Sequence, residues 1–195
     1  DQGIVLEFTV FDDNDDETEL DLALIHVNDI RVRNDRGGSN EPHRQNVGLL
    51  DLLEESRRTV DFAVATPATY SSVRFELRPT SEHESMAMEF SNADWDTNIL
   101  LMTREDLSFE IRCETPVILE PSEDLHLELE LDLASMVEWI EDQDLPEPEA
   151  NLIVIDDESA PEILDQLEEA LEDSWDLHCE SDDSDDESEQ DFDEG

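Results

Sequence analysis

The sequence predicts an all-β fold, in which an antiparallel β-sandwich precedes an amphipathic helix and a disordered acidic tail. Apolar and polar residues alternate in many short segments, and turn residues separate these segments roughly every ten residues. No long helical pattern interrupts them. We therefore expect a sandwich domain over residues 1–140, a linker, short strand and helix over residues 141–178, and a tail over residues 179–195.

The first two strand candidates lie near the N-terminus. Residues 4–11, IVLEFTVF, alternate between apolar and polar side chains, and residues 20–34 do so over a longer stretch. The alternation of the longer segment changes phase near Asn28 and Asp29. A bulge keeps the apolar side chains on one face despite such a change, so the sequence predicts a bulge or kink there.

A loop and a series of shorter strands follow. Gly37 and Gly38 accept positive φ and Pro42 breaks a strand ladder, which together indicate a loop. Residues 47–56, VGLLDLLEES, fit either a short strand or a helical turn. Six further strand candidates cover residues 59–65, 70–79, 86–90, 98–103, 107–115 and 117–121.

The clearest alternation is LHLELELDL over residues 125–133. Its leucines occupy every second position, with His126 and acidic residues between them, which is typical of an antiparallel strand with one buried face. Residues 134–142 then predict one or two helical turns. The prolines in residues 145–150 indicate an extended linker, and residues 151–155, NLIVI, are a short strand candidate.

An amphipathic helix is predicted over residues 160–175. Ser159 precedes Pro161 at an early helical position and Glu162 three residues on, which is the sequence of a capping box. The apolar residues that follow share one helical face. We expect this face to cover apolar surface of the sandwich.

The charge of the chain is extreme and one-sided. It has 58 acidic and 10 basic residues, a formal net charge of -48, and all of its basic residues are arginines. Such a charge opposes a compact state at ordinary ionic strength, whereas at about 1 M salt the Debye length falls to roughly 3 Å and most of the repulsion is screened. The composition therefore indicates adaptation to high salt. The alternative is an acidic protein with a basic partner at low salt.

The same charge argues against contact with nucleic acid or an anionic membrane, because both would be repelled. No segment reaches the about 20 apolar residues of a membrane span, and residues 1–11 lack the pattern of a signal peptide. Cys113 and Cys179 permit one disulfide without demanding it. If they pair, the bond ties the C-terminal region to the sandwich.

Four segments resemble a family of secreted or lipid-anchored bacterial and archaeal proteins that carry a domain of unknown function. They are IHVNDIRVRN, VGLLDLLEES, VATPATYSSVRFELRP and TPVILEPSEDLHLELELDL. In that family a leucine-rich segment precedes a turn with proline and tyrosine and a central strand, and here residues 49–53, Pro67, Tyr70 and residues 73–77 match this order. The resemblance implies a sandwich of the prealbumin and immunoglobulin-like type and an extracytoplasmic location, with an upstream segment that carries any lipid anchor. It implies no catalytic residue.

Two segments contain candidate calcium ligands. Calcium takes oxygen ligands at alternating positions, and the candidates are Asp12, Asn14 and Asp16 near the N-terminus and Asp191 and Asp193 in the tail. Neither segment has the full spacing of an EF-hand loop. We therefore favour diffuse binding of cations over a specific site.

A copper site is a weaker hypothesis. His83, Met86 and Met88 supply an imidazole and two thioethers, which are ligands that suit Cu(I). The alternative is that the two methionines are core residues, because they lie two positions apart on one face of a strand candidate.

No catalytic constellation stands out. The chain lacks a nucleophile-elbow pattern and a phosphate-binding glycine loop, and neither cysteine has a catalytic context. Trp95, Trp139 and Trp175 are more typical of core anchors than of a sugar-stacking platform. We expect a non-enzymatic, extracytoplasmic module without a resident cofactor, whose partner is a surface protein or a glycan. A calcium-binding or copper-binding surface protein is the alternative, and a hydrolase ranks third.

Overall fold

The computed structural model describes residues 3–11, 18–54, 59–62, 64–92, 97–121 and 123–181. In these residues the fold is mostly β, as the alternating patterns predict. The strands are β1 (Ile4–Phe11), β2 (Thr18–Asn34), β3 (His43–Asp51), β4 (Thr59–Phe62), β5 (Ala68–Leu77), β6 (Met86–Asn92), β7 (Asn98–Thr103), β8 (Leu107–Leu119), β9 (Leu125–Asp132), β10 (Leu152–Ile155) and β11 (Trp175–Ser181). The α-helices are α1 (Leu133–Glu141), α2 (Pro161–Leu164) and α3 (Leu167–Ser174).

The strands form one mixed sheet. Its order is β10-β7-β6-β2-β5-β8-β11-β9-β1-β4, and β3 pairs with β2 outside this path. Most neighbours are antiparallel, but β1 with β9, β7 with β10, and β8 with β11 are parallel. Parallel neighbours arise where the chain crosses the fold before it returns in the same direction. The predicted antiparallel arrangement is therefore wrong for these three pairs.

The long strand β2 pairs with three others. Its first part, through Ile25, pairs with β6, and its second part, from Val27, pairs with β5. β3 pairs with the middle of β2. The register shifts between Val27 and Asp29, which confirms the bulge that the change of phase predicts. Of the two alternatives for residues 47–56, the strand is correct through Asp51.

The sheet folds over, so that distant strands face each other across one core. The rings of Phe8 in β1 and Phe75 in β5 meet edge to face at 5.9 Å, and the Trp175 ring of β11 meets Phe8 at 6.1 Å. β1 and β5 are four steps apart in the strand order. With strands about 4.8 Å apart, a flat sheet would separate them by about 19 Å, so the contact requires a folded sheet.

β9 and α1 show how the acidic pattern builds this core. The five leucines at alternating positions are all buried, as predicted, while the residues between them stay partly exposed. The strand ends at Asp132, whose carboxylate accepts the backbone N–H groups of Ala134 (2.9 Å) and Ser135 (3.3 Å). The carboxylate is therefore the N-cap that turns β9 directly into α1.

The predicted single helix over residues 160–175 is wrong. Two short helices, α2 and α3, occupy this range, and Trp175 begins β11. Ser159 caps no helix, because its hydroxyl donates to the Val154 carbonyl oxygen (2.8 Å) and accepts the Asp156 N–H (3.1 Å). The hydroxyl closes the turn after β10, and α2 begins without a side-chain cap.

The same turn is stabilised by two aspartates. The Asp156 carboxylate accepts the backbone N–H groups of Ser159 (2.7 Å) and Glu158 (3.0 Å). The hydrogen bond from the Ser159 N–H is the main cause that holds the pKa of Asp156 below its ordinary value of 3.8. Asp157 accepts a hydrogen bond from Thr103 Oγ1 (2.6 Å), which joins the turn to β7.

The strand β11 also corrects the predicted domain boundary. Residues 179–181 were expected to begin the acidic tail, but they complete β11 and pair with β9. The remaining residues of the predicted tail, 182–195, lie outside the described part of the chain. The ordered fold thus extends past Cys179.

The contact at Phe8 yields a test of the folded-over sheet. Phe8→Ala should lower the free energy of unfolding by about 3 to 5 kcal/mol, because it removes a buried ring from the contact with Phe75 and Trp175. Phe11→Ala is the matched control on the same strand, since this ring is 45% exposed, and should cost less than about 1 kcal/mol. Denaturant unfolding in molar potassium chloride measures both. Equal losses would contradict the proposed packing.

Candidate functional site

The strand β11 joins two parts of the sheet. It pairs with β9 along its whole length in antiparallel register and meets β8 in parallel register at Leu177 and Cys113. Cys113 and Cys179 form a disulfide across this junction, with their Cα atoms 5.8 Å apart and 66 positions of sequence between them. The bond that the sequence permits is therefore formed, and it lies where β8 and β11 meet.

Next to the junction, α3 covers the edge of β8. Glu168 accepts the backbone N–H of Ser108 (2.6 Å), and Glu172 accepts that of Glu110 (3.0 Å). These donors would otherwise stay unpaired at the edge of the strand. The carboxylates of α3 thus take the place of a neighbouring strand before β11 begins.

A polar groove of about 400 Å³ opens beside the disulfide. Arg112, Glu114, Asp176, Leu177 and His178 line it. The groove lies between β8 and β11, which share a single pair of register partners beside the disulfide. It has donors and acceptors of both charges above a buried leucine, so it suits a polar ligand.

Arginines from three neighbouring strands meet on the outward side of the sheet. We use the name arginine face for Arg31 and Arg33 of β2, Arg74 of β5 and Arg112 of β8. Arg31 lies opposite Arg74 in the β2 and β5 register. Ser72 lies opposite Arg33 on one side and Arg112 on the other, so the residues form two adjacent rows.

Two carboxylates hold part of the arginine face. Glu41, whose side chain is only 5% exposed, accepts Nε of Arg33 (2.9 Å) and lies 3.8 Å from a guanidinium nitrogen of Arg31. Glu110 accepts the hydroxyl of Ser72 (2.6 Å) and lies 3.7 Å from the Arg33 guanidinium. The predicted loop after β2 places Glu41 beside Arg31 and Arg33.

Asn34 fixes that loop. Its Oδ1 accepts the N–H groups of Arg36 and Gly37, both at 3.0 Å, and its Nδ2 donates to the Asn40 carbonyl oxygen at 2.9 Å. Gly37 and Gly38 have φ of 63° and 60°, which confirms the positive φ expected from the sequence. The chain therefore turns tightly and returns Glu41 beside β2.

The other two guanidinium groups are less constrained. Arg74 donates to the hydroxyl of Ser108 (3.2 Å), and neither Arg74 nor Arg112 makes an ion pair with a carboxylate that the structure describes. Both side chains are exposed. Arg112 lies two positions after Glu110, the register partner of Arg74, so the two arginines are diagonal neighbours on β5 and β8. Residues in this relation lie about 7 to 8 Å apart. Two fork-shaped donors thus remain available to one ligand.

The proposed copper ligands are placed in two different environments. Met86 and Met88 lie on the buried face of β6 and line the apolar core together with Phe75 and other side chains. His83 lies before β6, half-buried, and its ring stacks on that of His26 at 6.3 Å. The His26 Nδ1–H donates to the Arg78 carbonyl oxygen (2.8 Å).

The five proposed calcium ligands belong to two acidic segments of the chain. Asp12, Asn14, Asp16, Asp191 and Asp193 all lie outside the described residues, as does Trp95. Within the described residues, no group of three or more histidine, cysteine, aspartate or glutamate side chains is arranged to hold a metal ion. No helix in that part of the chain is long and apolar enough to cross a membrane.

Of the other two tryptophans, Trp175 is buried in the core and Trp139 of α1 packs partly against it.

The arginine face itself is missed by the sequence patterns. Alternation marks Arg31, Arg33, Arg74 and Arg112 as outward residues of their strands, but only the strand order brings these residues together.

No protein-family model matches the chain, and no curated protein sequence matches it either. Among solved structures, MbnP from Methylosinus trichosporium is similar, with a TM-score of 0.43 and 12% sequence identity. The similarity covers 70% of this chain and 78% of that chain. So distant a likeness carries no argument about the site.

The disulfide should contribute strongly to stability. Replacing both cysteines, Cys113→Ser with Cys179→Ser, should lower the free energy of unfolding by about 4 kcal/mol, because the bond closes a long loop in the unfolded chain. Denaturant unfolding in molar salt measures the change. A reducing agent should lower the stability of the wild-type chain by a similar amount and leave the double variant unchanged. Sensitivity of the double variant to the reductant would contradict this assignment.

Proposed function

We propose that the chain is a non-enzymatic, extracytoplasmic β-sandwich module of a salt-adapted microbe, with a role in adhesion or assembly at the cell surface. The observation that carries the proposal is the disulfide between Cys113 and Cys179. Such bonds persist in oxidising compartments outside the cytoplasm and are uncommon inside it.

Adaptation to salt is supported by the acidic side of the sheet. Glu7 of β1 lies opposite Glu128 of β9, and Glu130 of β9 lies opposite Asp176 of β11. Like charges directly opposite each other on neighbouring strands destabilise a sheet. His126 lies 3.6 Å from Glu7 and His178 lies 3.8 Å from Glu130, and both distances are too long for a strong hydrogen bond. Dissolved cations are then the counter-ions that relieve this repulsion.

The arginines are unevenly distributed along the chain, because none follows Arg112. β9, α1, α3 and β11 therefore fold from a part of the chain without a permanent positive charge. The edge of β8 is closed by the carboxylates of α3 themselves. Screening by salt is a condition for bringing so many carboxylates together.

The salt requirement can be measured directly. We expect the folded fraction, followed by circular dichroism, to rise steeply as potassium chloride increases from about 0.1 M to about 1 M, because the Debye length falls from roughly 10 Å to roughly 3 Å. Potassium chloride and sodium chloride should act alike if screening is the cause. A chain that is equally stable without added salt would refute the adaptation.

Location and role require a separate experiment in the organism that produces the chain. Cells are treated with a thiol-alkylating reagent under denaturing conditions, before and after reduction, and then fractionated. We expect the protein in the envelope or medium, with both cysteines protected from the reagent until reduction. Recovery from the cytoplasm with two free thiols would refute export.

The binding role is tested on the same material. Purified wild-type chain, immobilised in molar potassium chloride, should retain a glycan or protein from the envelope fraction, and metal analysis should find no stoichiometric metal. Stoichiometric calcium or copper would favour the metal-binding alternative instead. Turnover in a broad panel of hydrolase substrates, with no ligand retained, would overturn the non-enzymatic assignment.

A further inference from the structure

We propose that the arginine face and the adjoining polar groove bind a carboxylate-bearing glycan, through contacts centred on Arg74 and Arg112. This inference rests on the proposed surface role and names the class of partner. The sites adjoin because Arg112 belongs to both: it ends one row of the arginine face and lines the groove beside the disulfide.

The chain has a large excess of carboxylates over arginines. In a chain with 58 acidic residues, an exposed arginine has many possible partners of its own. Arg78 pairs with Glu76 and Asp106, and Arg104 pairs with Glu84, whereas Arg36 and Arg44 form no ion pair in the described residues. Arg74 and Arg112 form no ion pair in the described residues, although each lies beside Glu110 in the sheet. Their guanidinium groups therefore remain open to a carboxylate from outside.

The side chains around Arg74 and Arg112 are held in place by their own contacts. Glu41 holds Arg31 and Arg33 from a buried position, and the Ser72 hydroxyl fixes Glu110. The Glu110 carboxylate therefore contacts Ser72 and Arg33, and it makes no ion pair with Arg112. A surface that is fixed before binding loses less conformational entropy when the ligand arrives.

The chemistry of the guanidinium group favours a partner that carries carboxylates. Guanidinium groups recognise planar carboxylates through two parallel hydrogen bonds, and this contact depends on geometry as well as on charge. At about 1 M salt, with a Debye length of roughly 3 Å, long-range attraction is lost but such direct contacts persist. The net charge of -48 is screened under the same conditions and does not exclude an acidic ligand.

The surface favours a glycan over a folded protein. The energetic centre of a protein interface usually contains large apolar or aromatic anchors. Outward positions around the arginine face hold polar residues, namely Asp29, Ser72, Glu76, Ser108 and Glu110. Ile118, the exposed apolar residue of β8, lies at the far end of that strand. The face therefore offers hydrogen bonds without an apolar anchor, and the groove can hold a polar sugar unit.

Nucleic acid is a poorer match for the same surface. Its duplex form carries a charge every about 1.7 Å, and its binding relies on counterion release, which molar salt suppresses. A glycan with one carboxylate per sugar unit is less densely charged. It can place single carboxylates at Arg74 and Arg112 while its hydroxyl groups meet Asp176 and Glu114 in the groove.

Calorimetric titration of the full chain in molar potassium chloride tests the proposal. The probe is an oligogalacturonate, and the control ligand is a neutral galacto-oligosaccharide of the same length. We expect saturable binding of the acidic probe alone. Arg74→Gln with Arg112→Gln should weaken binding at least about tenfold, because two charge-assisted contacts are removed.

Two further variants separate recognition from charge and from folding. Arg112→Lys keeps the positive charge but loses the planar fork, and should weaken binding at least about threefold. Arg104→Gln removes a positive charge outside the arginine face and should leave the affinity within about twofold. Circular dichroism checks the fold of each variant, and the lysine variant remains informative if the double variant does not fold.

Three results would overturn the inference. They are absence of binding to the oligogalacturonate, equal weakening in the Arg104 control, and tighter binding of a polyglutamate peptide than of the glycan at the same arginines. Failure of the proposed surface role would give a different result from failure of the binding site. A cytoplasmic protein that still binds the oligogalacturonate through Arg74 and Arg112 would refute export and keep the site.

Discussion

The fold depends on the insertion of β11 between β8 and β9. Without it, β9 and β1 would form a separate group of strands whose buried leucines have no continuous sheet beside them. β11 supplies the missing hydrogen bonds to β9 along seven register pairs and reaches β8 at Leu177. In sequence order, β11 is the last strand of the described chain.

A covalent bond lies at the junction of β8 and β11. β8 and β11 share a single pair of register partners, and their sequence separation makes the contact costly in chain entropy. The disulfide constrains the unfolded chain and so offsets that cost. The edge of β8 that β11 leaves open is closed by Glu168 and Glu172 of α3. The disulfide, α3 and β11 thus together complete the contacts along this edge of β8.

How far the sequence predicts this structure depends on the range of the interactions. The leucines of β9 and the bulge in β2 were predictable, because alternation within one strand reports directly on one buried face. The helix over residues 160–175 was mispredicted for a tertiary reason. Ser159 has the local pattern of a cap, but its hydroxyl bonds to Val154 of β10 instead.

The parallel pairs and the arginine face were beyond the reach of periodicity. Each arginine of the face is recognisable as an outward residue of its strand, yet only the order β2, β5, β8 places them together. The disulfide had one possible pairing from the start. Whether the bond forms depends on the redox compartment, which the two cysteines alone do not specify.

The distribution of charge follows from the same strand order. The rows across β1, β9 and β11 carry facing carboxylates, whereas the rows across β2, β5 and β8 carry the arginines. The polar groove lies at the border, because β8 and β11 are the neighbours that belong to the two sides. A ligand there meets Arg112 and Glu114 on the β8 wall and Asp176 and His178 on the β11 wall.

At this border, the geometry of the groove depends on β11, the strand that completes the sheet. Arg112 precedes Cys113 in β8, and His178 precedes Cys179 in β11, so the disulfide fixes the distance between the two walls of the groove. Loss of the bond would leave Leu177 and Cys113 as the single register pair between the strands. The element that completes the sheet therefore also sets the geometry of the proposed binding site.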